Sequence, residues 1–196
     1  MLALFLSSCG PGHMKDSLPS VTLSRRRFLR SAALTGLVTI PTFNAAAHAL
    51  ESRTVSFVHT HTGETLSCCY FRGAYDSAAL NDVNHFLRDF RTGDVHEIDP
   101  QLLDVLYELK VLANRDEPFE VISGYRSPAT NNMLHERSNG VASRSLHMEG
   151  RAIDIRLAGF STRKLRDLAL SMQRGGVGYY QASDFVHVDT GRVRFW

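Results

Sequence analysis

Cysteine is scarce in this sequence. Cys9, Cys68 and Cys69 are the only three in 196 residues, and two of them are adjacent. No Cys-x-x-Cys pair occurs, so neither a disulfide framework nor a thiolate metal site is expected. Long apolar runs are also missing: none approaches the roughly 20 residues of a membrane span. Excess charge of one sign is absent from residues 50–196 once the chain is divided. The formal net charge is +2, but Lys15, Arg25, Arg26, Arg27 and Arg30 face only Asp16 in residues 1–49. The remainder carries 17 basic and 19 acidic residues, which excludes the basic footprint of a nucleic-acid binder. Several chemical signatures are missing as well. There is no Gly-x-Ser-x-Gly elbow and no glycine-rich phosphate loop ending in Lys-Ser or Lys-Thr. His135-Glu136 opens a His-Glu-x-x-His pattern that Asn139 breaks. His147-Met148-Glu149 lacks the downstream Cys-x-x-Cys of a zinc deaminase.

The basic N-terminal stretch has an order of its own. Ser24-Arg25-Arg26-Arg27-Phe28-Leu29-Arg30 resembles the twin-arginine export motif. A weakly apolar run from Ala32 to Ile40 follows, then Pro41 and the small-x-small site Ala47-His48-Ala49. Residues 1–49 are therefore expected to be a leader exported by the twin-arginine machinery, and residues 50–196 one domain. Met1 to His13 fits a leader poorly because its first basic residue is Lys15, so Met14 is an alternative start.

Within 50–196 the pattern mixes strands and helices. Val55, Phe57 and His59 alternate with polar neighbours, and His61 to Glu64 reads as the turn before a return strand from Leu66 to Phe71. Leu80, Val83, Leu87 and Phe90 predict a helix from Ser77 to Arg91 with Arg88 and Asp89 outward. Asp99-Pro100 opens a second helix with an apolar stripe from Leu102 to Leu112. A strand over Phe119–Ile122 leads to Ser123-Gly124-Tyr125-Arg126-Ser127, and Ser127 caps a helix to Arg137. Residues 138–146 read as a loop. Ser161 caps a last helix to about Arg174, stopped by Gly175-Gly176, and Val177–Tyr180 and Phe185–Val188 are closing strands.

Strand parity singles out a few polar residues. In Arg151–Leu157, Ile153, Ile155 and Leu157 take one face and Asp154 the other. In Phe185–Asp189, His187 and Asp189 point away from Val186 and Val188. If these strands are neighbours, Asp154 and His187 share one side of a sheet. His147 comes in from the preceding loop, with Gly150 allowing a sharp turn. Two imidazoles and a carboxylate are the donor set of a catalytic zinc site, which keeps a fourth position for water.

The surroundings are more specific than the spacing. Ser145-x-His147-x-x-Gly150-x-Ala152-x-Asp154 followed by His187 resembles the zinc DD-peptidase superfamily, which includes the metal-bearing hedgehog domain. The export motif, Ser123 to Ser127, Gly175 to Tyr180 and Phe185 to Gly191 are similar to the YcbK-like (MepK) murein endopeptidase family. The resemblance implies an α+β fold, a small antiparallel sheet flanked by helices. It implies one zinc ion held by His147, Asp154 and His187, and peptidoglycan stem peptides as substrate in the periplasm. Asp184, three residues before His187, matches the general base of related carboxypeptidases; Asp189 and Glu149 are the alternatives. In that mechanism zinc lowers the pKa of a bound water toward ~7, and Asp184 takes the water's proton and returns it to the leaving amine. Arg126 is expected to stabilise an oxyanion or bind a substrate carboxylate, since its planar fork suits carboxylates. Ser145 is expected to support a ligand or position substrate. A D-alanyl-D-alanine-type carboxypeptidase and a non-catalytic metal-bearing wall-binding module are the competing readings.

Overall fold

The computed structural model describes residues 51–137 and 142–196. The leader, Met14, the cleavage site and Cys9 lie outside the described residues. Seven strands form one sheet: β1 (Ser52–His59), β2 (Thr65–Arg72), β3 (Phe119–Ser123), β4 (Ala152–Leu157), β5 (Gly176–Tyr180), β6 (Phe185–Asp189) and β7 (Arg194–Phe195). Their order is β2-β1-β3-β4-β6-β5-β7. Four pairings are antiparallel, while β1–β3 and β5–β7 are parallel. The helices are α1 (Ser77–Phe86), α2 (Pro100–Ala113), α3 (Pro128–Arg137) and α4 (Thr162–Met172). The expected α+β class with a mainly antiparallel sheet is what the chain adopts. Among the described residues no helix is long and apolar enough to cross a membrane.

One apolar core joins the sheet to α1, α2 and α4. Val55, Phe57, Phe119, Val121, Ile153, Ile155, Val186 and Val188 come from the strands, and Val83, Leu102, Leu106, Leu109 and Leu165 from the helices. The alternation in β4 and β6 therefore sends Ile153, Ile155, Val186 and Val188 into the core. Asp154 and His187 are left on the opposite face, directly paired across the two strands.

Four local expectations are corrected. The first helix stops at Phe86, and Asp89 is buried rather than outward, because its carboxylate accepts from the Ser127 backbone N–H at 2.9 Å and hydroxyl at 2.8 Å. The apolar stripe of α2 ends at Leu109, since Leu112 is exposed. Helix α4 ends in a left-handed Gln173 (φ 51°), not at the glycine pair. Gly175 and Gly176 instead let Asp189 approach the backbone, for a Cβ on Gly175 would lie 1.7 Å from the Asp189 carbonyl oxygen. Strand β7 had no prediction at all.

Gly150 joins the short 3₁₀ turn Leu146–Glu149 to β4. Its φ is +65°, and a Cβ there would sit 2.0 Å from the Glu97 carbonyl oxygen. The left-handed conformation alone costs a side-chain-bearing residue about 1–2 kcal/mol. Gly150→Ala is therefore expected to lower stability by at least about 2 kcal/mol, read as a fall in thermal midpoint of about 4 °C or more. An unchanged midpoint would mean that this turn relaxes freely.

Candidate metal centre

The three expected ligands meet in a pocket of about 380 Å³. His147 Nε2 lies 3.2 Å from Asp154 Oδ1 and 3.2 Å from His187 Nδ1, and His187 Nδ1 lies 2.9 Å from the same oxygen. All three residues are buried. Each arrives on a different element: His147 on the 3₁₀ turn, Asp154 on β4 and His187 on β6.

Hydrogen bonds fix the orientation of both rings. His147 Nδ1 is 2.7 Å from the Gly124 carbonyl, which can only accept, so Nδ1 carries the hydrogen and Nε2 keeps its lone pair. His187 Nε2 is 3.0 Å from the Asp189 carboxylate, so it donates there and Nδ1 keeps its lone pair. Two nitrogen lone pairs and an anionic oxygen thus face a common point. Such a gathering of acceptors is unfavourable unless a cation or proton lies among them. Ligands at roughly 2.0–2.1 Å from a tetrahedral ion lie roughly 3.3 Å from one another, close to the separations found here. The donor set fits a metal ion, and its outer partners are those that orient metal-binding histidines.

Electrostatics divide the two imidazoles. Burial pushes the His147 pKa down, and the charges of Arg126 and His187 add to this against the attraction of Asp154. Burial also opposes protonation of His187, but its hydrogen bonds to Asp154 and Asp189 outweigh that and raise its pKa. Asp154 is penalised by burial, yet His147, His187 and Arg126 hold its carboxyl far below the ordinary range. The carboxylate is the permanent negative charge among the three residues.

The segment Ser123 to Ser127 is a scaffold in which each residue has a task. Gly124 supplies the carbonyl for His147 and must lack a side chain, because a Cβ would lie 2.6 Å from the Leu87 carbonyl oxygen. Arg126 donates from Nε to Ser123 Oγ at 2.8 Å, and its Nη2 pairs with Asp154 Oδ2, which leaves Oδ1 toward the imidazoles. Ser127 is held by Asp89. Ser145 caps the 3₁₀ turn, accepting from the His147 N–H at 3.4 Å. Arg126 and Ser145 both line the pocket.

Asp184, the residue expected to act as base, is not among the residues that line this pocket. It is an exposed residue in the left-handed conformation (φ 52°) that ends the turn Gln181–Ser183. Its Oδ1 accepts from the Thr162 hydroxyl at 2.6 Å, and Oδ2 lies 3.8 Å from Arg156. It lines a separate groove with Glu120, Arg156 and Ser161. Glu149 is exposed and pairs with Arg151, away from the pocket. Asp189 is buried and accepts from the Gly176 and Gly191 N–H groups, His187 and both Nη groups of Arg194. Asp154 is the only carboxylate among the described residues that line the pocket.

Sequence patterns missed the far wall, formed by Tyr180, Phe185, Arg194 and Trp196. Tyr180 stacks on Phe185 with centroids 4.5 Å apart, and the Trp196 ring lies 5.2 Å from that of His187. Parity could have placed Phe185 beside His187. Nothing local could have placed Arg194 and Trp196, which reach the site only through the pairing of β7 with β5.

Comparison with known proteins gives concordant matches. A family model described as peptidoglycan L,D-endopeptidase MepK matches residues 47–196. The chain is 46% identical over 145 residues to the peptidoglycan L,D-endopeptidase MepK of Escherichia coli (strain K12), covering 74% of this chain and 80% of that protein. It is 43% identical over 146 residues to the probable peptidoglycan L,D-endopeptidase MepK of Haemophilus influenzae, covering 74% of this chain and 78% of that protein.

Proposed function

This chain belongs to the MepK family of peptidoglycan L,D-endopeptidases, and from that membership we propose that it is a periplasmic, zinc-dependent enzyme that hydrolyses L,D peptide bonds in the cross-links of peptidoglycan. The observation that carries this reading is the convergence of His147 Nε2, Asp154 Oδ1 and His187 Nδ1 inside a pocket. Those three residues would hold the ion. When bound there, zinc supplies Lewis-acid activation of water and of the scissile carbonyl at neutral pH.

The remaining work falls to the chain itself. Gly124 and Asp189 keep the imidazole lone pairs aimed inward. Arg126 neutralises the outer oxygen of Asp154 and stays a candidate for contact with the substrate carbonyl or a carboxylate. Ser145 fixes the backbone turn that carries His147 and stands at the pocket where a stem peptide would lie. Arg144 also lines the pocket and is exposed, which suits the acidic groups of stem peptides. Asp184 has no part in this proposal.

Digestion of purified muropeptide dimers with zinc-loaded protein, followed by separation of the products, tests the reading. Products cut at an L,D bond and one zinc per chain support it. Release of single terminal residues, or binding of peptidoglycan without cleavage, would reject it.

The twin-arginine route is part of the same proposal, on the strength of Arg25, Arg26 and the weakly apolar run after them. Changing both arginines to lysine is expected to hold the precursor in the cytoplasm. Mature protein at normal periplasmic levels in that variant would point to another route.

A further inference from the structure

The segment Arg194–Trp196 is tied to the edge of the sheet next to the metal face. Arg194 and Phe195 pair with Gly176 and Val177. The Trp196 backbone continues the pairing, donating to the Val177 carbonyl at 3.3 Å and accepting from the Tyr179 N–H at 3.1 Å. Its indole covers Gly178, the residue paired with His187, where a Cβ would approach the ring to 2.7 Å. The ring is therefore seated by a missing side chain and cannot slide toward the sheet.

From this seat the indole Nε1–H donates to the Tyr180 hydroxyl oxygen at 3.0 Å. An indole nitrogen donates only, so the phenol hydrogen is not spent on Trp196 and is turned away from it. Stacking on Phe185 fixes the phenol ring. Two of the pocket's arginines are held by carboxylates: Arg126 pairs with Asp154 and also donates to Ser123, and Arg194 pairs with Asp189. Tyr180 has an ordered oxygen, an O–H not spent on Trp196 and a place on the wall of the pocket that His187 also lines.

We propose that the Tyr180 hydroxyl donates a hydrogen bond to the scissile carbonyl oxygen, stabilising the negative charge that develops there, and that Trp196 is the positioning residue that aims it. This rests on the reading of the site as a peptidase centre. The phenol keeps its proton throughout. It strengthens its hydrogen bond as water adds to the carbonyl carbon and the C=O electron pair moves onto oxygen, and relaxes as the C=O re-forms, the C–N bond breaks and the amine leaves with a proton that came from the water. Removing one preorganised donor of this kind lowers kcat by about 10²–10³-fold. Tyr180→Phe retains the ring and its stack, so kcat should fall by about that factor with KM, zinc content and thermal midpoint unchanged. A phosphinate isostere of the scissile bond should lose affinity by a similar factor, because it presents the oxyanion that the carbonyl only develops. Trp196→Phe retains a ring over Gly178 without the N–H and should lose about tenfold in kcat, the worth of one neutral hydrogen bond.

Wild type and both variants are assayed as full zinc-loaded chains on matched L,D- and D,D-linked peptide dimers. The bond that wild type cleaves decides the substrate, and the ratio of variant to wild type on that bond decides Tyr180. Cleavage of only the D,D dimer by wild type overturns the L,D assignment and leaves the Tyr180 ratio readable. A Tyr180→Phe rate within about threefold of wild type, or a rate loss that follows loss of zinc, overturns the hydroxyl's role. Wild type inactive on both dimers overturns the two together.

Discussion

Asp154→Asn is expected to lose its metal and, with it, peptidoglycan hydrolysis by at least about 10³-fold. The proposed ion would lower the pKa of a coordinated water to roughly 7, so a chain without it would have almost no hydroxide equivalent to offer at neutral pH. Asparagine keeps the shape but removes the one permanent charge that draws a cation to two neutral imidazoles. The substitution also has a structural cost. Arg126 is only 13% exposed and pairs with Asp154, which is itself 4% exposed. Breaking a buried pair from one side costs about 3–5 kcal/mol, so the metal-free variant should melt below the metal-free wild type. Elemental analysis, a muropeptide assay and a thermal scan on the same preparation give the three readouts. Full zinc with cleavage within tenfold of wild type would remove Asp154 from the ligand set.

Asp189→Asn should give a different pattern, in which metal affinity falls by about 10–100-fold while saturating zinc restores most of the rate. Every lone pair of the Asp189 carboxylate is used by a donor: His187, Arg194, Gly176 or Gly191. An amide can satisfy only one side of that arrangement. If its NH₂ faces His187, the Nε2–H has no acceptor and the proton moves toward Nδ1, the atom that faces the ligand cluster. A zinc titration of activity checks this. A rate that stays low at saturating zinc would mean that Asp189 acts in the chemical step. An affinity equal to wild type would mean that the tautomer needs no support from this carboxylate.

How far the sequence could be read depended on the range of each interaction. Asp154 and His187 were legible because alternation with Ile153, Ile155, Val186 and Val188 is a local property of a half-buried strand. Pairing β4 with β6 then places the two residues directly opposite. Asp184 could not be placed from the sequence, because an offset of three residues from a histidine holds in one dimension only. The left-handed turn at Asp184 directs the chain so that its carboxylate meets Thr162 and Arg156. Asp89 was misread for the opposite reason. Its helical spacing was sound, but a partner 38 residues away ended the helix first. The supporting roles of Gly124, Asp189, Arg194 and Trp196 were hidden because each depends on a contact between elements. A two-residue strand such as β7 leaves no periodicity to detect.

The pairing of β4 with β6 fixes two things with one alignment. Slipping β6 by a single residue would turn Val186 and Val188 toward the pocket and bury His187 and Asp189 among leucines and isoleucines. Core and chemistry would be lost together, with no intermediate arrangement that keeps either. A chain that binds the proposed ion would thereby have passed a check on its own folding, and selection for hydrolysis would also purge misaligned sheets. Substitutions in this strand pair are under double jeopardy, whereas those in the hairpin of β1 and β2 bear on the core through Val55, Phe57 and Tyr70 and leave the ligand alignment alone.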